Sequence, residues 1–288
     1  MTTTPTEGQY LFPHTWEGEG DRLNALATLL DPVTRRHLTA LGLGPGWRCL
    51  EVGGGTGSVA RWLAETVGDT GHVLATDLSL DLMKAQGVEE SATLELRIHD
   101  IVHDPMPEGR FDLIHSRLVL EHLPARVEVL AKLAGALAPG GWLVIEDMCL
   151  RGHHATDRRG ALTISALFRL IGLVLAQHGH DGRWGARLPV HMHRAGLTGI
   201  GAEGTQIMMI GDSPAVRWVA PNLARMRTLL VEDNDVVTGS SVQKVLAAVP
   251  PLKGVLKGRL DRLEGLLADP EFVYVAPTFV TAWGRKPA

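Results

Sequence analysis

The stretch that most constrains this chain is residues 50–58, LEVGGGTGS, an apolar run that carries an acid and then turns through glycines. Gly53, Gly55 and Gly57 open backbone angles closed to other residues and let the main chain come close to a ligand. About twenty residues on, Val73 to Asp77 ends a second apolar run in a carboxylate, a spacing that suits the diol of a ribose. The dinucleotide fingerprint G-x-G-x-x-G is not met, because counting from Gly53 puts Ser58 where the third glycine belongs. The frame that fits is E-x-G-x-G-x-G, from Glu51 to Gly57.

Downstream the alternation continues. Leu94 to Asp100 reads as a third strand ending in an acid and Phe111 to Ser116 as a fourth. Val127 to Leu137 has helical spacing, Pro139-Gly140-Gly141 breaks it, and Trp142 to Glu146 is a fifth strand. Strands alternating with helices imply parallel pairing and right-handed crossovers. Ligands of such sheets sit at the carboxyl ends of the strands, where Glu51, Asp77, Asp100 and Ser116 fall. Residues 9–43 read as helices, with Asp21 or Asp31-Pro32 as starts. Beyond 151 the chain is helical and rich in histidine to 195, and residues 195–200 close a helix. Residues 205–210 read as a strand, and Ser213-Pro214 opens a helix to about Val231. Short helices follow at 242–248 and 252–267, broken at Pro250-Pro251, before a last strand at 278–285. The expected organisation is a helical cap over 1–46, a sheet core over 47–150, a helical lid insertion over 151–195, and the remaining sheet over 196–288 with a helical insertion at about 213–268.

The 288 residues are 45% hydrophobic, enough for a substantial core. A formal charge of −4 offers no basic field for phosphate backbones, which excludes nucleic acid as the main partner and favours a small-molecule substrate. Cys49 and Cys149 stand beside core strands without metal-ligand spacing, so buried thiols are expected. The polar start of the chain lacks the pattern of a signal peptide, and a cytoplasmic location is the expectation. Ala161 to Gln177 is apolar but holds Arg169 near its centre, a residue that costs about 2.5–3.5 kcal/mol in a membrane span. A buried helix or a homodimer face is the better reading, and no membrane association is expected.

Tyr10, residues 19–23, 50–58, 72–77, 99–101, 111–123, 139–147 and 282–285 together resemble the small-molecule branch of the class I S-adenosylmethionine (SAM) dependent methyltransferases, which includes bacterial natural-product and quinone methylating enzymes. The resemblance implies an α/β fold, a Rossmann-like seven-stranded sheet with helical lid insertions, binding SAM and releasing S-adenosylhomocysteine. It implies that Glu51 and the backbone of Gly53, Gly55 and Gly57 hold the methionyl part. Asp77 would take the ribose hydroxyls, Leu78 would pack on adenine, Asp100 would accept from the adenine amino group with Ile101 beside the ring, and Ser116 and Arg117 would stand near the sulfonium and carboxylate. Tyr10 and Arg22 would fold over the cofactor. Ser116-Arg117-Leu118 departs from the N-P-P-Y signature of enzymes that methylate nucleic-acid amines.

Methyl transfer from a sulfonium is an in-line displacement in which positioning and exclusion of water do most of the work. An oxygen acceptor of high pKa also profits from a base, and histidine is the usual one. Of the 13 histidines, His122 and His14 rank first, with helix packing as the competing role for His122. His153 and His154 are adjacent and poor joint ligands, so no metal is expected. The function expected is methylation of a small organic molecule, at oxygen, in bacterial secondary metabolism. Methylation at carbon or nitrogen stays open, as do the non-methylating reactions, such as cyclisation or decarboxylation, that some proteins of this fold catalyse.

Overall fold

A computed structural model describes residues 18–156, 158–228, 231 and 250–288. Its described residues form two compact units, one from Leu26–Cys149, Arg183–Thr205 and Phe279–Ala288, the other from residues up to Ala25, Leu150–Gly182 and Gln206–Thr278.

The first unit carries a seven-stranded sheet built from β1 (Arg48–Val52), β2 (His72–Asp77), β3 (Leu94–Ile98), β4 (Phe111–Arg117), β5 (Leu137–Cys149), β7 (Thr198–Thr205) and β10 (Thr278–Arg285), in the order β3-β2-β1-β4-β5-β10-β7. β1 pairs in parallel with β2 and β4, β2 with β3, and β4 with β5. Lys286 bonds to Gly140 and Gly141 while Thr281 bonds to Glu146, so β10 runs opposite to β5. The core strands are buried nearly throughout, as parallel strands covered on both faces must be. On one side Leu50, Ile114, Leu143 and Ile145 pack with α4 (Arg126–Ala136) and with Trp184, Leu188 and Met192 of α6 (Trp184–Arg194). On the other, Cys49, Val73 and Leu113 pack with Leu38 and with α2 (Ser58–Val67). Both cysteines are free and buried, as their apolar settings imply.

Several expectations are corrected in detail. The two N-terminal starts are one helix, α1 (Glu19–Ala40), which runs through Pro32. Arg117 explains the continuity: it donates to Asp31 Oδ1 at 2.9 Å and Thr34 Oγ1 at 3.0 Å, gripping the helix on both sides of the proline. The edge of the sheet beside β10 is filled by Thr198–Thr205, not by 205–210. Its glycines hide it from β propensity; Gly201 is opposite Trp283, whose indole lies 2.4 Å from where a Cβ would be. One boundary between the units falls at Gly182–Arg183, because α6 packs on β5.

In the second unit β6 (His154–Ala155), β9 (Val273–Val275) and β8 (Met208–Ile210) make a small antiparallel sheet in that order, so residues 205–210 are divided between two sheets. Here also lie the helices α5 (Arg158–Gln177), α7 (Val216–Arg227) and α8 (Pro250–Leu267), while α3 (Asp81–Ala85) belongs to the sheet unit. Pro250 and Pro251 are the first two residues of α8, a position where a missing N–H costs nothing. The helix expected at 242–248 lies outside the described residues. No helix among the described residues is long and apolar enough to cross a membrane.

Candidate functional site

The carboxyl ends of β1, β2 and β4 converge beside the glycine loop. Gly53 and Gly54 both donate to the Thr76 carbonyl, at 2.8 and 3.0 Å, tying the loop to the end of β2. Gly53 (φ 72°) has left-handed backbone, and a Cβ there would lie 2.3 Å from Val119 Cγ2. Gly57 (φ 77°) then caps α2, with Val88 Cγ2 2.8 Å from its missing Cβ. Asp77 is buried; its carboxylate accepts from the N–H of Gly55 at 2.8 Å and of Leu78 at 2.7 Å, which fixes it against the loop. Beside it Leu78 and Ile98 remain 60% and 66% exposed, two large apolar side chains at the adjoining ends of β2 and β3. Ile98 was not singled out from sequence, since β3 ends there and not at Asp100.

Glu51 is buried, and His115 Nδ1–H donates to its Oε2 at 2.6 Å. On the other ring edge Nε2 is 3.6 Å from Glu146 Oε2, ion-pair range just beyond a hydrogen bond. Glu146 also accepts from Thr34 at 2.5 Å and from Thr281 at 3.0 Å. Burial alone would make His115 neutral, but Glu51 and Glu146 outweigh it and raise its pKa to about 9. Burial would likewise raise Glu146, yet His115, Arg117 and Thr34 hold it down at about 2. The sequence signal was a histidine inside an apolar strand, in register with the acid one strand over.

The other expected residues divide. Ser116 is buried and donates to the Val52 carbonyl at 3.0 Å, so its hydroxyl braces two strands. Arg117 grips α1 as described. Asp100 accepts from the N–H of Val102 at 2.8 Å and from His103 Nδ1 at 2.7 Å, closing the turn after β3; the little burial it has would raise its pKa, but the His103 ring and these donors lower it. Ile101 is packed into the hydrophobic core. His122 ends a short turn (Leu120–His122), its Nε2 3.4 Å from Glu121 Oε1. Next to that turn Asp147 is buried with neither carboxyl oxygen at hydrogen-bond geometry, and burial followed by the charge of Glu121 raises its pKa well above the ordinary range. Arg22, in the second unit, is buried and paired with Glu19 at 2.7 Å. Tyr10 and His14 lie outside the described residues.

A buried acid at the strand end beside the glycine loop disfavours a pyrophosphate and suits a ligand that carries a positive charge. Residues 22–194 match the family model described as a methyltransferase domain, and the chain belongs to that family. The methyltransferase str3 of Strobilurus tenacellus is 29% identical over 167 residues, 58% of this chain and 56% of that protein. The ubiquinone/menaquinone biosynthesis C-methyltransferase UbiE of Laribacter hongkongensis is 31% identical over 111 residues, 38% of this chain and 46% of that one. The chain thus spans about half the length of the curated relatives it matches. A cyclopropane-fatty-acyl-phospholipid synthase-like protein from Lactobacillus casei superposes with a TM-score of 0.58 at 17% identity, covering 92% of this chain and 90% of that one. The fold is the Rossmann-like class I methyltransferase sheet.

Proposed function

We propose that this chain is a SAM-dependent methyltransferase acting on a small organic acceptor, at oxygen. The observation that carries the reading is the meeting, at one end of the sheet, of the Gly53–Gly57 loop, the fixed Asp77 carboxylate and buried Glu51. SAM, when bound, supplies a methyl group on a positively charged sulfur. Glu51 takes the methionyl ammonium, the backbone of Gly53, Gly55 and Gly57 lies along the methionyl chain, and Asp77 takes the ribose hydroxyls. Leu78 and Ile98 wall the adenine, whose amino group reaches Asp100, with Ile101 supporting from the core. Ser116 and Arg117 act by setting the strand end and the position of α1. Tyr10 and Arg22 are assigned to closure over the cofactor, and His122, with His14, to removal of the acceptor proton.

The net charge of −4 and the absence of a basic run at the loop support a small acceptor over nucleic acid. Work in the cytoplasm, in bacterial natural-product formation, is part of the same proposal, as is a homodimer. The test is methyl transfer from radiolabelled SAM to a panel of phenols, quinols and hydroxylated polyketides, with the product's methyl position read by NMR. Label on oxygen supports the reading. Label on carbon or nitrogen overturns the choice of atom, and tight SAM binding with no transfer to any acceptor overturns the activity.

A further inference from the structure

We infer that His115 is a positioning residue for the cofactor: clamped between Glu51 and Glu146 across three strands, it orients the Glu51 carboxylate toward the methionyl ammonium. The inference rests on the assignment of Glu51 made above. Glu51 and His115 are register partners on β1 and β4, so their side chains share a face, and the ring reaches Glu51 Oε2 at 2.6 Å. With one oxygen engaged by the ring, the second is left to meet an incoming cation. The reverse edge of the ring faces Glu146, itself pinned by Thr34 of α1 and Thr281 of β10. Asp31 and Arg35 of α1 complete the charged surroundings through Arg117, which stands two residues along β4.

A neutral ring would leave two buried carboxylates facing each other across it with no charge between them. An imidazolium supplies that charge, and the two flanking acids hold the ring in that form against burial. His115 touches no reacting atom in this scheme. It sets the geometry of the group that does the binding, as outer partners do for metal ligands.

The experiment measures binding of S-adenosylhomocysteine, which carries the ammonium, and of methylthioadenosine, which lacks the amino acid part, to the full chain. His115→Phe is expected to weaken the first roughly 10-fold or more and the second less than about 2-fold, with His115→Asn, which restores a donor toward Glu51, recovering most of the loss. Equal weakening of both ligands, or of neither, overturns the inference. Should the variants fail to fold, nitrogen-15 spectra of histidine-labelled wild type decide. A ring protonated on both nitrogens at pH 7.5, whose signals move with S-adenosylhomocysteine and not with methylthioadenosine, supports the role; a neutral ring, or signals that respond to both ligands or to neither, overturns it. Glu51→Gln separates the two levels. If that variant binds S-adenosylhomocysteine like wild type, the assignment of Glu51 fails; if it binds weakly while His115→Phe binds normally, only the role of His115 fails.

Discussion

Gly53 has the least freedom to change of any residue at the site. Its φ of 72° and the 2.3 Å approach of Val119 Cγ2 to the missing Cβ mean that Gly53→Ala meets both backbone strain and a clash. We expect a loss of about 2–4 kcal/mol in denaturant unfolding. Adding Val119→Ala should relieve the clash and leave the strain, about 1–2 kcal/mol. Asp77 is a different case, because its two backbone donors keep the carboxylate placed before any ligand arrives. Asp77→Ala should weaken S-adenosylhomocysteine binding by about 1–3 kcal/mol in calorimetry with the fold retained; an affinity within twofold of wild type would remove the ribose assignment. Both residues were legible in the sequence, since a strand end and a glycine loop announce themselves locally. The hydroxyl of Ser116 and the guanidinium of Arg117 were not, because what they bond to is distant in the chain.

At the scale of elements, α1 shows how a long-range grip overrides a local signal. Asp31-Pro32 reads as a helix start, yet Arg117 bonds to Asp31 and Thr34 and the helix continues. Arg117→Met should cost roughly 1.5–3 kcal/mol, since partly buried acceptors lose a charged donor. Amide exchange in residues 33–38 should accelerate more than in α4, which the change does not touch. Equal acceleration in both helices would show that Arg117 does not hold α1 specifically. β7 teaches the same lesson in reverse: a segment with three glycines is a poor strand by propensity, and the indole of Trp283 lying over Gly201 makes it a good one.

For the molecule as a whole, the buried charges set a pH dependence of stability. The pKa of His115 is raised from 6.5 to about 9 in the folded protein, so its stabilising effect is complete below about 6.5 and is lost as pH climbs through 9. Glu146 is lowered from 4.5 to about 2, so its effect is present above about 4.5 and is lost as pH falls through 2. Both describe one interaction from its two ends and do not add. Thermal unfolding followed across this range should give a plateau between the two limbs, and His115→Asn should flatten the alkaline limb; an unchanged alkaline limb in the variant would mean that other groups produce it.

The sequence by itself determined the order of strands and helices through the sheet, the glycine loop, and the acids at the ends of β1 and β2. Hydrophobic period, turn residues and strand ends act over a few neighbours, and a reader of the chain has those neighbours in view. Tertiary structure alone decided that Glu51 faces a charged histidine, that Arg117 serves α1, that Ile98 is left uncovered beside Leu78, and that residues 198–205 complete the sheet. Each of these depends on which side chains meet across strands, and burial then turns such a meeting into a fixed charge.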